Sequence, residues 1–362
     1  MRSDARTRVL VTGASGKIGT HVVNELITRG YCVRALTSKS ANVYGNSNEL
    51  EWRVLDFQES LEFDDLVRGC SVVIHLGAEL NSMDRMPRSN VDATRALAEA
   101  SERAHVKFFC YTSSVSVYGS ARRRRVTEDS PVMTTDRDVR SEFWGDKQFR
   151  TYGRTKLQGE KAINAVAHNV EYVTLRPTLV VDTRDLISLQ DWHKPKKQWY
   201  ASRHAHHIYV FDVANAILWF MERSLRRDRP APGVDTFNLS EDDTPVSTYG
   251  QIFKAAYAAS HDPRWRVAAI PWPVEWLLAI LRARRVILRH PFGRMTFADT
   301  KLRQSGYMVR FGMSQAVSNF CAGLTPLRTT DHKGQATTRA SHDVSVESAY
   351  EGGQNVGEVT GA

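Results

Sequence analysis

Val9-Leu10-Val11-Thr12-Gly13-Ala14-Ser15-Gly16-Lys17-Ile18-Gly19 is an apolar run, then a glycine-rich turn, then the start of a segment with helical apolar spacing. The apolar run reads as a buried strand and residues 17–29 as a helix. A helix that starts at such a turn offers free N–H groups and the positive end of its dipole, which suit the phosphates of a dinucleotide. Gly13 then permits the tight turn, Gly16 lets backbone approach a pyrophosphate, and Gly19 lets the helix pack closely. Ser15, Lys17 and Ile18 complete the expected cradle.

Outward from this turn, strand-like runs at 8–12, 31–37, 52–56, 71–76, 107–112 and 171–176 alternate with helix-like spacing at 17–29, 61–68, 89–104 and 152–168. Apolar strands separated by helices predict an α/β fold, a doubly wound parallel sheet of Rossmann type covered on both faces. Ligands of such a sheet bind at the carboxyl ends of its strands. Residues 1–180 are the expected dinucleotide-binding domain. The alternation fails from about 181, and 181–325 is the expected smaller substrate-binding portion, interleaved with returning strands such as Thr236-Phe237-Asn238-Leu239. Residues 326–362 are rich in Ser, Thr and Gly without apolar periodicity, which predicts a disordered tail.

Tyr152 and Lys156 are four residues apart in Tyr152-Gly153-Arg154-Thr155-Lys156. On a helix both project from one face. A neighbouring ammonium favours the phenolate, so the tyrosine pKa is expected to fall towards neutrality, as proton exchange with an alcohol or a carbonyl requires.

These segments, with others in the same order, resemble the extended short-chain dehydrogenase/reductase family, also called the NAD-dependent epimerase/dehydratase family. Val54-Leu55-Asp56-Phe57 resembles the family's adenine-contacting strand end. His75-Leu76-Gly77-Ala78 resembles its turn beside the cofactor, and Asn90-Val91-Asp92-Ala93-Thr94 its N-V-x-G-T helix start. Tyr111-Thr112-Ser113-Ser114-Val115-Ser116-Val117-Tyr118-Gly119 resembles S-S-x-x-V-Y-G. Arg176-Pro177 and Tyr209-Val210-Phe211-Asp212-Val213-Ala214-Asn215-Ala216 resemble R-P and V-x-D-V-A-x-A. The likeness spans about residues 8 to 325. It implies a catalytic Ser114, chosen over Ser113 on its spacing from Val117, together with Tyr152 and Lys156. It also implies cofactor contacts at Asp56, Phe57, Leu76, Gly77, Ala78, Pro177, Tyr152 and Lys156.

Departures from the family pattern narrow the reading. Members that eliminate water from nucleotide sugars carry Asp and Glu where Val115 and Ser116 stand, which argues against a dehydratase. Arg176-Pro177 continues as Thr178-Leu179-Val180-Val181, without the Asn and Y-G-P of nucleotide-sugar members. The second strand ends Thr37-Ser38-Lys39, with no carboxylate for a free ribose 2′-hydroxyl. Its hydroxyls, Lys39 and the nearby Arg34 and Lys17 favour NADP, with NAD as the alternative. His204, His206 and His207 form H-x-H-H without a further ligand at usable spacing. No metal is expected, and His206 and His207 are assigned with Ser114 to the substrate side.

The expected function is an NAD(P)-dependent oxidoreductase interconverting a secondary alcohol and a ketone on a small-molecule substrate. The alternatives are a nucleotide-sugar 4-epimerase with a retained NAD and a non-catalytic NADP-sensing protein; the intact Ser-Tyr-Lys set argues against the last. Four scattered cysteines and the absence of a visible signal peptide predict a reducing cytoplasm. The net charge of +9 includes the run Arg122 to Arg125, read as a solvated insertion near the site with recognition of a phosphorylated substrate as the alternative, and no nucleic-acid motif accompanies it. Residues 272–290 are apolar first and basic second, read as a packed helix with an interfacial membrane contact as the alternative. A homodimer is compatible with all of this.

Overall fold

The computed structural model describes residues 7–38, 46–119, 124–134, 147–227, 231–267, 295–323 and a few positions from 271 to 277. Lys39, most of the 272–290 stretch, residues 326–362, Arg122 and Arg123 lie outside the described residues.

The chain runs β1 (Arg8–Thr12), α1 (Lys17–Thr28), β2 (Cys32–Thr37), β3 (Leu50–Val54), α2 (Asp64–Val67), β4 (Val72–His75), α3 (Ala93–Arg103) and β5 (Phe108–Thr112). It continues with β6 (Arg125–Val126), α4 (Lys147–Val166), β7 (Glu171–Pro177), β8 (Leu179–Val181), α5 (Asp185–Asp191), α6 (Lys194–Tyr200), β9 (His207–Tyr209), α7 (Val210–Leu225), β10 (Gly233–Leu239) and α8 (Tyr249–Ser260). The main sheet has seven strands in the order β10-β7-β5-β4-β1-β2-β3, parallel at every pairing. This is the doubly wound fold expected from the alternation. The strand order reverses between β1 and β4, and a crevice opens at such a switch point.

The apolar runs are explained by burial on both faces. Val9, Val11, Val72, Ile74, Phe108, Cys110 and Val173 face the layer that contains α1 and α7. Their neighbours Leu10, Val73, Phe109, Tyr111 and Tyr172 face the layer of α2, α3 and α4. Each fully buried side chain of this size contributes about 1.5–3 kcal/mol. Helix α1 presents Val22, Val23 and Leu26 to the sheet. It ends where Gly30 takes φ +81 and Tyr31 N–H returns to the Leu26 carbonyl, a left-handed stop that glycine makes at low cost.

Several boundaries differ from expectation, each for a local reason. Strand β3 ends at Val54 rather than 56, because the Asp56 carboxylate accepts the Gln58 N–H and turns the chain. Helix α2 is one turn, since the Ser60 hydroxyl first accepts the Glu62 N–H. Helix α3 is entered through a π-helical turn, Arg88–Asp92, and α4 begins five residues before Tyr152. Strands β8 and β9 pair in a small parallel sheet of their own, with α5 and α6 between them. The sequence pattern did not foresee this. Asp243 and Thr300 hold the Arg125 guanidinium, so that member of the arginine run is not simply solvated. The four cysteines are free thiols; burial raises those of Cys70 and Cys110. Among the described residues no helix is long and apolar enough to cross a membrane.

Candidate active site

At the switch point the turns after β1 and β4 meet. A Cβ on Gly13, which sits at φ +64, would lie 2.8 Å from Gly77 N. One on Gly19 would collide with the Gly13 carbonyl, whereas one on Gly16 would meet only that carbonyl at 3.1 Å. Gly13 and Gly19 are therefore required by close backbone approach, and Gly16 keeps the cleft floor open. A cleft of about 520 Å³ lies above this turn. Of the cofactor contacts expected from the sequence, all those among the described residues line it. Ser114, Tyr152 and Lys156 line the same cleft; His206 and His207 do not.

Ser114 follows β5 with extended backbone and begins a short 3-10 turn, Val115–Tyr118. Its Oγ accepts the Ser116 N–H at 3.1 Å, which leaves its own hydroxyl proton free to donate into the cleft. Ser113 is committed elsewhere: it is buried and donates to Glu160 Oε1 at 2.5 Å. The two adjacent serines are thus distinguished by their partners.

Tyr152 and Lys156 stand one turn apart on α4. Their electrostatics differ from the expected pattern. Burial pushes the Tyr152 phenol up to about 12 rather than letting it fall. Burial likewise lowers the Lys156 ammonium to about 7, opposed by the Glu160 charge. Desolvation disfavours both charged forms. Lys156 Nζ lies 4.2 Å from the centre of the Tyr111 ring.

The frame behind these groups is polar and closely paired. Glu160 accepts Arg176 Nε at 2.9 Å and Arg176 Nη2 at 2.6 Å, and Arg176 Nη1 donates to the Tyr118 hydroxyl at 2.8 Å. That hydroxyl donates to Asn238 Oδ1 on β10 at 2.6 Å. Asn90, in the π-helical turn, donates to Thr155 Oγ1 and to the Glu79 carbonyl, each at 3.0 Å, and accepts the Glu79 N–H. His75 is fully buried between Thr12 and Thr94, and burial lowers it to about 3, so it is neutral. The sequence reading missed Glu160, although its position four residues after Lys156 was a usable signal. It also missed the double reach of Asn90, whose partners are distant in sequence.

Two expected cations are not available at the tip of β2. Arg34 is buried, paired with Glu51 at 2.9 Å, and caps carbonyls at the end of α2. Lys17 pairs with Asp185 at 2.8 Å. Thr37 is buried and shares a 2.8 Å hydrogen bond with Ser15, while Ser38 is exposed at the cleft rim. The Asp56 carboxylate is met by Arg85 at 3.0 Å. His206 is bonded to Asp242 at 2.7 Å, and His207 is buried against Tyr249. Both serve packing away from the cleft. Among the described residues no cluster of three His, Cys, Asp or Glu could hold a metal ion.

Residues 9–188 match the model of the NAD dependent epimerase/dehydratase family, and the chain belongs to that family. Its relatives include a dihydroflavonol 4-reductase of Zea mays, 31% identical over an alignment of 193 positions that covers 48% of this chain and 52% of the relative. A UDP-glucose 4-epimerase of Dictyostelium discoideum is 28% identical over 42% of this chain and 45% of its own length. The chain spans about half the length of these two curated relatives. The fold is shared with MoeE5 in complex with UDP-glucuronic acid and NAD: TM-score 0.62, 22% identity, 87% of this chain and 98% of that one.

Proposed function

We propose that this chain is an NADP-dependent oxidoreductase that interconverts a secondary alcohol and a ketone. The observation that carries this reading is a single cleft lined both by the glycine turn and by Ser114, Tyr152 and Lys156. The glycine turn at the start of α1 suits a pyrophosphate, and Leu76, Gly77, Ala78 and Pro177 would flank the rest of the cofactor. The cofactor, when bound, supplies the hydride chemistry. The chain's own groups manage the proton. Ser114 donates a hydrogen bond to the substrate oxygen. Tyr152, protonated at neutral pH, gives that oxygen its proton in the reducing direction. Lys156, whose proton burial has loosened, restores it and holds the nicotinamide ribose.

Substrate character follows from the neighbours of these groups in the cleft. Val115 adjoins Ser114, and Phe149 precedes Tyr152 by a turn. Leu80 and Asn81 stand in the loop after β4, and Thr178, Leu179 and Val180 follow Pro177. Glu79, Arg85 and Gln148 line the cleft as well, and the apolar side chains among these neighbours support a ketone with an apolar part. The preference for NADP now rests on the hydroxyls of Thr37 and Ser38 and the lack of a carboxylate there, without help from Arg34 or Lys17. Residues 181–325 remain the proposed substrate-binding portion.

Mass analysis of cofactor released from purified protein, followed by NADPH consumption with a panel of apolar ketones, tests the reading. Tightly held NAD with no ketone reduction would replace it by the epimerase alternative.

A further inference from the structure

Glu160 has no part in the proton transfer proposed above, yet it is buried at the centre of the frame behind it. Tyr152, Lys156 and Glu160 succeed one another at four-residue steps along α4, so they share one helix face. One Glu160 oxygen accepts Ser113 Oγ and Arg176 Nε, and the other accepts Arg176 Nη2. Ser113 is the residue before Ser114. The carboxylate therefore ties the helix that carries Tyr152 and Lys156 to the strand end that carries Ser114.

The same carboxylate acts on Lys156. The titratable groups around that ammonium are His75 on β4, Tyr111 on β5, Tyr152 and Glu160 on α4, and, behind Glu160, Arg176 on β7 with Tyr118. His75 is neutral, and burial raises the Tyr111 and Tyr152 phenols, so neither offers a negative charge near neutral pH. Glu160 opposes the desolvation that would otherwise strip Lys156 of its proton.

We propose that Glu160 is a positioning residue of the active centre, which fixes Ser114 through Ser113 and keeps Lys156 charged. The inference rests on the oxidoreductase reading for its catalytic meaning, but its test does not. Its physical basis is that a charge within one helical turn, shielded from water, acts strongly. A bond to Arg176 alone would make Glu160 merely structural, and the experiment separates the two roles.

The protein is labelled with ε-¹³C lysine and titrated by NMR, with the Lys156 signal identified by its loss in Lys156→Arg. In Glu160→Gln the Lys156 midpoint should fall by about one pH unit, a tenfold loss of proton affinity. The double variant Glu160→Gln/Arg176→Met removes both buried charges and should show a smaller fall in the same direction, because the opposing guanidinium goes too; it also serves if the single variant does not fold. The alkaline limb of ketone reduction with NADPH should move with the midpoint. A Lys156 midpoint unchanged in the double variant would overturn the inference and leave Glu160 as a structural partner of Arg176 and Ser113. The titration needs neither cofactor nor substrate, so a wild-type protein that reduces no ketone would defeat the oxidoreductase reading while the role of Glu160 is still read.

Discussion

The side-chain amide of Asn90 lies 3.0 Å from Thr155 Oγ1, a contact that joins the π-helical turn before α3 to the helix bearing Tyr152 and Lys156. Through its other bonds to Glu79, Asn90 also holds the loop that follows β4. One buried amide thus spaces two walls of the cleft. Asn90→Ala should strand the Glu79 N–H and carbonyl and cost about 1–3 kcal/mol. Urea unfolding and NADPH titration should show lower stability and weaker binding together; unchanged binding would mean that the loop keeps its place without Asn90.

Tyr152→Phe removes only the hydroxyl. Ketone reduction should fall by about 10²–10⁴-fold, while NADPH affinity stays within a few-fold of wild type. Lys156→Met should lower both. Steady-state kinetics and fluorescence titration read the two effects apart, and near wild-type turnover in Tyr152→Phe would remove it from the mechanism.

The two serines should part company. Ser114→Ala should lower kcat by about tenfold or more with little change in melting temperature, because Ser114 lines the cleft and its Oγ only accepts the Ser116 N–H. Ser113→Ala should instead destabilise the fold, since it takes a partner from buried Glu160. The reverse pattern would exchange their roles.

Cofactor choice is best tested at Ser38, because Thr37 is buried against Ser15. Ser38→Asp supplies an acceptor for a 2′-hydroxyl and repels a 2′-phosphate. NADPH binding should weaken by at least about tenfold, or ~1.4 kcal/mol, while NADH binding holds or improves. Calorimetry on both proteins decides it, and a wild type that already prefers NADH defeats the NADP assignment.

Acid should weaken the fold through buried imidazoles. His75 and His207 are each lowered to about 3, against an unfolded value near 6.5. The unfolded chain binds protons first as pH falls, so stability is full above about 6.5 and declines towards 3. At pH 5 each histidine costs about 2 kcal/mol. His75→Gln should flatten the fall of the urea midpoint between pH 7 and pH 5; an unaltered slope would place the acid sensitivity elsewhere.

The sheet was legible because its strands are buried on both faces and so read as unbroken apolar runs. The cleft was legible because Gly13, Gly19, Tyr152 and Lys156 are constrained over short spans of chain. Charges were harder to read. Arg34 is close to Thr37 in sequence, but alternation along β2 sends it under α2 to Glu51, far from the rim. His206 and His207 looked like cleft residues, yet a backbone with φ +50 at His206 turns the first towards Asp242. Lys156 and Tyr152 were placed together correctly, but desolvation depends on the packed surroundings, which no local spacing encodes.

Strand β10 enters the sheet 56 residues after β7 ends (233 − 177), and Asn238 on it is the last partner of the Tyr118 hydroxyl. All the cleft residues precede that strand in the chain. Until it arrives, β7 is an open edge, and α7, which follows the small β8–β9 sheet, has only just covered α1. A nascent chain of the first 188 residues would hold every group of the cleft and still lack the part that closes its frame. The frame behind the cleft is therefore completed only by a strand that lines no part of it.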